Sequence, residues 1–339
     1  MNKKLLAIAV GAVVAMPGAV LAAGPTVYGK VNVTLDSVDT EFGADTFPGA
    51  GTDQWELNSN ASRLGVKGDF DLEVGGLKAI YQAEYEINVD DGGGAPFSQR
   101  NIFAGLKGGF GTLQAGKFDT PMKTSEGKFD QFNDLAGDID SFVAGQDRAN
   151  NIIQYTTPKL ADAFSVKVAL IPAEGADVDN DGTVDDGLAD TMQLSLAYEK
   201  GGLYVALAHA ADSADAQADI ADAFPASRVD MTRLVAVYNM DAFQIGGLYQ
   251  LTSATTPGSD AENTSMAISG AYSIDRIKLK AQYGITEGDV TGEEVTMMGI
   301  GADYKLAKAS KAFVYMTSLE QDQAGTENQV FGIGLEHSF

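Results

Sequence analysis

The chain has 339 residues and carries 23 lysines and arginines against 47 aspartates and glutamates, a net charge of −24. So acidic a chain argues against nucleic acid as a partner. With no cysteine, it has neither a disulfide framework nor a thiol nucleophile.

Residues 1–23 hold Lys3 and Lys4, an apolar run from Leu5 to Val14 and small residues ending in Leu21-Ala22-Ala23. That layout predicts a secretory signal peptide cleaved after Ala22 or Ala23. Its removal leaves 21 basic and 47 acidic residues, a net charge of −26, on one domain spanning 24–339. Beyond it, no apolar run reaches the ~18 residues of a membrane-spanning helix. Yet 45% of the residues are hydrophobic and 39 are glycine, which suits a soluble all-β protein or a barrel with apolar side chains turned to lipid.

Alternation of period two recurs in segments of about ten residues, the length a tilted strand needs to cross the hydrocarbon layer. Leu77, Ala79, Tyr81, Ala83, Tyr85 and Ile87 share one face, and Lys78, Gln82, Glu84, Glu86 and Asn88 the other. Met192, Leu194, Leu196 and Tyr198 oppose Gln193, Ser195 and Glu199 in the same way, and Phe243, Ile245, Tyr249 and Leu251 oppose Gln244 and Gln250. Ile277, Leu279, Ala281, Tyr283 and Ile285 oppose Lys278, Lys280, Gln282 and Thr286. Sixteen strands are predicted, at 26–36, 61–70, 77–89, 98–108, 112–119, 149–157, 163–171, 191–200, 202–211, 229–240, 243–253, 264–274, 277–287, 294–305, 311–320 and 329–339. An even number lets an antiparallel barrel close.

A soluble sandwich produces the same alternation, but three features favour the membrane. Tyr28, Tyr85, Phe164, Tyr198, Tyr238, Tyr304 and Phe339 lie near strand ends, where an aromatic girdle meets lipid headgroups. Tight turns at Gly75-Gly76, Gly108 to Gly111, Gly201-Gly202, Asp241-Ala242 and Asp275-Arg276 alternate with longer stretches at 38–53, 173–190 and 213–228. The last strand, with Phe331, Ile333 and Leu335 in alternation, stops on Phe339, an end that resembles the assembly signal of outer-membrane barrels.

Four stretches carry a wider resemblance: Tyr28-Gly29-Lys30, Ser62-Arg63-Leu64-Gly65-Val66-Lys67-Gly68, the run from Phe103 to Gly111, and the run from Arg148 to Tyr155. With their order, their spacing and the terminal Phe339, the chain resembles the general, trimeric Gram-negative porins from about residue 26 to its end. The resemblance implies a transmembrane antiparallel 16-stranded β-barrel, a homotrimer in the lipopolysaccharide-containing outer membrane, with its third long loop folded inward. That loop would be 120–147, some 28 residues of weak periodicity, a length usually reserved for function.

By the same resemblance, Lys30, Arg63, Lys117 and Arg148 form a basic group on the pore wall, facing acids of the loop. Alternation sets Lys30 opposite Val31 and Val33, Arg63 opposite Leu64 and Val66, and Arg148 opposite Ile153 and Tyr155. Lys117 shares parity with Leu113 and Ala115, so it reaches the lumen only through a bulge at Gly116, and is otherwise a rim lysine. The loop offers Glu126, Asp130, Asp134, Asp138, Asp140 and Asp147 against Lys123 and Lys128. Opposed charges across a narrow lumen orient water and polar solutes, and the acid excess predicts a preference for cations. The same acidity would also suit a salty habitat.

Two further features sit outside that scheme. Arg100 shares parity with the outward Ile102 and Ala104, a costly placement in lipid of about 2–4 kcal/mol that a trimer interface would relieve. Asp177, Asp179, Asp181, Gly182 and Asp185 match the start of a calcium loop, but Leu188 stands where a bidentate glutamate belongs. Loop 173–190 is therefore either a weak or shared Ca2+ site or a hydrated acidic loop.

Enzymatic chemistry finds little support: the two histidines, His209 and His337, fall within predicted strands, and no serine or acid has a convincing base. The expectation is a non-enzymatic, cofactor-free channel for ions and small hydrophilic solutes. Its rivals are a solute-selective channel of the same fold, a loop-mediated surface adhesin and, more remotely, a soluble sandwich.

Overall fold

A computed structural model describes residues 24–41, 51–90, 95, 97–176, 184–214, 221, 228–255 and 259–339; the expected signal peptide lies outside them. The first strands are β1 (Thr26–Glu41), β2 (Thr52–Ser59), β3 (Arg63–Asp71), β4 (Lys78–Ile87), β5 (Phe97–Gly108) and β6 (Gly111–Asp119). Helix α1 (Pro121–Thr124) and a 3-10 turn (Ile139–Ser141) lie between β6 and β7 (Arg148–Thr156). There follow β8 (Phe164–Ile171), β9 (Thr191–Lys200), β10 (Leu203–Ala214), β11 (Arg228–Met240) and β12 (Phe243–Ala254). The last five are β13 (Glu262–Ile274), β14 (Ile277–Gly288), β15 (Glu294–Ala307), β16 (Ser310–Gln321) and β17 (Thr326–Ser338).

Both β2 and β3 pair with β1, at Thr52–Ser59 and at Arg63–Lys67, so they are two halves of one barrel strand. The break falls at Asn60-Ala61-Ser62, where Ala61 takes a left-handed φ of 48°. Every neighbour is antiparallel, and β17 returns to β1 from Lys30↔Ser338 to Glu41↔Glu327. The result is a closed 16-stranded barrel, which leaves no backbone edge to satisfy in lipid. Phe339 completes the seam: its N–H donates to Gly29 O at 3.0 Å, and its carbonyl accepts from Gly29 N at 2.9 Å. Its ring fills the space that a Cβ on Gly29 would need.

The predicted loop 38–53 is shorter than expected, because β1 runs on to Glu41 and β2 starts at Thr52. Their polar Asp39, Thr40, Thr52 and Asp53 continue the backbone ladder without the greasy alternation that marks the membrane-crossing part.

Burial is inverted relative to a water-soluble protein. Along β14, Leu279, Ala281 and Tyr283 are exposed on the outer face while Lys280, Gln282 and Thr286 are buried inside. Among the described residues no helix is long and apolar enough to cross a membrane. Outward aromatics pair across strands near the short turns, Phe164 with Tyr198 at 5.1 Å and Phe243 with Tyr272 at 4.3 Å between centroids. Tyr28 departs from the predicted girdle: it points inward, packs over Gly65 and donates to Glu84 at 2.9 Å.

Candidate functional site

The connection 120–147 enters the lumen and packs on the inner wall. Thr120 caps α1 by accepting from Lys123 N at 3.2 Å, and Pro121 supplies a first position that needs no N–H partner. At its base, Arg148 Nη2 meets Asp119 Oδ1 at 2.9 Å, joining the two strands the loop connects. Its apolar residues then form the protein's core inside the barrel. Phe129, Ile139, Phe142 and Val143 cluster with Val235, Val237, Leu248, Val295 and Met297, and Phe132 and Leu135 with Phe313, Tyr315 and Val330.

Glycines make the seats. A Cβ on Gly246 would lie 2.9 Å from the Phe129 ring, one on Gly299 would lie 2.9 Å from Phe132, and one on Gly284 would overlap Phe142. Wall side chains meet the loop's backbone between these seats. Ser269 donates to Phe129 O at 2.7 Å, Gln282 accepts from Gln131 N at 2.9 Å, and Thr286 donates to Phe142 O. Arg233, fully buried on β11, donates to the carbonyls of Met122 and Ala144 and to Gln250 Oε1.

Beyond the seat of Phe132 on β16 and β17, the loop carries Asp134 to the next strands around the barrel, β1 and β3. Its Oδ2 lies 2.5 Å from Lys30 Nζ and 3.4 Å from Arg63 Nη2. Burial alone would raise this carboxyl, but Lys30, Arg63 and Arg100 together hold it below the usual aspartate range. Asp134 adopts φ 63°, a conformation the Asp138 carboxylate supports by accepting Asp134 N at 2.6 Å. Asp130 accepts from Phe132 N at 2.8 Å and Ile139 N at 3.3 Å, so Asp130 and Asp138 fold the loop. Burial, with the charges of Asp138 and Glu126, pushes Asp130 well above the ordinary value. Glu126 is pushed up to about 7, chiefly by burial and against the pull of Arg233. Gln146, oriented to satisfy both of its amide ends, donates to Glu126 and accepts from Arg233, each at 2.8 Å.

Of the four expected wall bases, Lys30 and Arg63 face the loop and Arg148 clasps its base. Lys117 does not join them. The register does shift beside Gly116, but the extra residue is in β7, at Asn150-Asn151, so Lys117 stays opposite Ile102 with the parity of Leu113 and Ala115. Arg100 corrects the opposite way. A bulge places Arg100 and Asn101 across from Glu84, turning Arg100 into the lumen, where it meets Glu84 at 3.2 Å and Glu86 at 2.6 Å. It is no interface residue. Asp177, Asp179 and Asp181 lie outside the described residues, and Asp185 is ion-paired with Arg228 at 3.0 Å. His209 and His337 contact Thr232 and Ser310.

Arg233 and the glycine seats escaped sequence reasoning. For Arg233 the signal is the adjoining run Leu234 to Tyr238, apolar on both faces, which marks a strand covered on its inner side as well.

Comparison with known proteins places this geometry. The family model described as Gram-negative porin matches residues 7–324. The chain belongs to the Gram-negative porin family. A porin's relatives follow: the major outer membrane protein P.IB of Neisseria meningitidis is 25% identical over 354 residues, covering 100% of both chains. The solved anion-selective porin from Comamonas acidovorans superposes with a TM-score of 0.74 at 22% identity, over 93% of this chain and 99% of that one. The trimer form of OmpT from Vibrio cholerae gives 0.63 at 17% identity, over 93% and 99%. The porin described here is thus an outer-membrane channel protein of a Gram-negative bacterium.

Proposed function

We propose that this porin is a general diffusion channel, a passive, non-enzymatic, water-filled path for ions and small hydrophilic solutes, acting as a homotrimer and preferring cations. The observation that carries this reading is the loop seated inside the barrel, which fills part of the lumen and is tied to the wall where Asp134 pairs with Lys30 and Arg63. Passive transport asks only for such a radius and field. The trimer form of the Vibrio neighbour and the family itself support three-fold assembly.

Support for cation preference comes from pairing. Four of the lumenal wall cations are occupied: Lys30 and Arg63 by Asp134, Arg100 by Glu84 and Glu86, Arg148 by Asp119. The loop retains an excess of acid, and Asp140 is exposed to the lumen. The Comamonas porin of the same fold is described as anion-selective, so the cation preference rests on this chain's own charges and not on the fold. Reversal potentials in a salt gradient across a planar bilayer test the reading: a cation preference is expected, and an anion preference refutes it.

A further inference from the structure

A second lumenal feature lies beside the constriction, on the wall formed by β4 to β8. It is a recess of about 370 Å³ lined by Gln82, Phe103, Gln114, Gln154 and Lys167, with Thr124 of the loop above it. Its two charges are unlike in their circumstances. Asp119 is already met by Arg148 at 2.9 Å and by Asn101 at 3.1 Å. Lys167 faces the lumen with Ser195 and Thr156 as strand partners, touches only a neutral hydroxyl, Thr124 Oγ1 at 2.7 Å, and has no ion-pair partner among the described residues. The recess therefore presents one uncompensated cation.

A second observation sharpens the chemistry. Gln154 is more than nine-tenths buried, and its Nε2 donates to Thr156 Oγ1 at 3.2 Å, which directs Oε1 away from that hydroxyl. That Oε1 is buried and has no hydrogen-bond partner. A buried acceptor left without a donor costs about 1–3 kcal/mol, so the Gln154 amide, which lines the recess, gains by turning Oε1 toward a donor that a solute brings there. Phe103 and Phe118, edge-to-face at 5.6 Å, supply a dry side against which carbon-bound hydrogens can pack.

The geometry points to a solute subsite for small hydroxylated monocarboxylates: the carboxylate on Lys167, a hydroxyl donating to Gln154 Oε1, and the carbon chain along Phe103 and Phe118. In a pore whose net field favours cations, such a local cation would give these anions a stopping place on the wall. The proposal rests on the reading of the protein as an open channel, and its test separates the two.

Purified trimers in a planar bilayer are first recorded in potassium chloride, then titrated with gluconate and, separately, with glucose. Gluconate is expected to interrupt the current saturably, and glucose to do so at least tenfold more weakly. Lys167→Gln is expected to weaken gluconate block tenfold or more and Gln154→Leu severalfold. Thr124→Ala, which removes the contact with Lys167 but keeps its charge, should leave block within twofold of the parent. If Lys167→Gln fails to assemble, Gln154→Leu and Thr124→Ala still decide. Normal conductance with no saturable block, block untouched by these substitutions, or equal block by glucose overturns the subsite alone. Absence of any conductance overturns the channel reading and the subsite with it.

Discussion

Gly284→Ala is the smallest change that should unseat the loop. The added methyl would occupy the space of the Phe142 ring, which is fully buried against Val295 and Met297, while the Phe142 carbonyl is held by Thr286. Expelling a buried phenylalanine costs about 3–5 kcal/mol, and the Thr286 bond adds about 1 kcal/mol if it is lost with it. Since about 1.4 kcal/mol is a tenfold change in an equilibrium, the ratio of seated to lifted loop should fall by two or more powers of ten. The barrel ladder needs nothing from that methyl-free space, so assembly should survive. Single-channel conductance and the size cutoff in liposome swelling should both rise, with noisier open-channel current. Unchanged conductance and cutoff in a well-assembled variant would falsify the claim that glycine seats hold the constriction.

Other substitutions read the electrostatics. Asp134→Asn frees Lys30 and Arg63 from their shared partner and should shift the reversal potential in a salt gradient toward anions, while Lys117→Gln, on the outer face, should leave it unchanged. Arg233→Ala strips the carbonyls of Met122 and Ala144 of a donor, a cost of about 3 kcal/mol; limited proteolysis should then cut within 120–147 in the variant and spare the parent. Glu126 rises from an ordinary 4.5 to about 7 in the folded loop, so the folded state holds its proton more tightly than the unfolded chain does. The contribution of Glu126 to loop stability is therefore fully present below about pH 4.5 and is lost as pH climbs through about 7. Ionisation adds a negative charge beside the lumen, so cation preference should grow between about pH 6 and 8 by reversal-potential measurement, and Glu126→Gln should flatten that rise.

What could be read from the sequence was what repeats. Outward Leu279, Ala281 and Tyr283 against inward Lys280 and Gln282 repeat with period two in strand after strand, so the strand count and the side of the sheet that Lys30 and Arg63 take follow from spacing, while closure into a barrel followed from the family resemblance. What failed was what one inserted residue can reverse. Arg100 has the parity of a lipid-facing side chain, and only the bulge opposite Glu84 brings it inside; nothing local in the sequence announces that bulge. At Lys117 the reverse holds, because the β7 strand absorbs the extra residue and leaves β6 in step. The seats were hidden for another reason: Gly246, Gly284 and Gly299 read as ordinary strand glycines until Phe129, Phe142 and Phe132, more than a hundred residues away in the chain, are placed over them.

The account depends on an aqueous interior enclosed by a lipid-facing exterior, and site-directed spin labels in reconstituted trimers measure that division directly. A label at Leu279 should relax with lipid-dissolved oxygen and resist a water-soluble nickel chelate, while a label at Gln114 should show the opposite ranking. Finding Leu279 open to the chelate and shielded from oxygen would turn the barrel inside out and remove the channel with it.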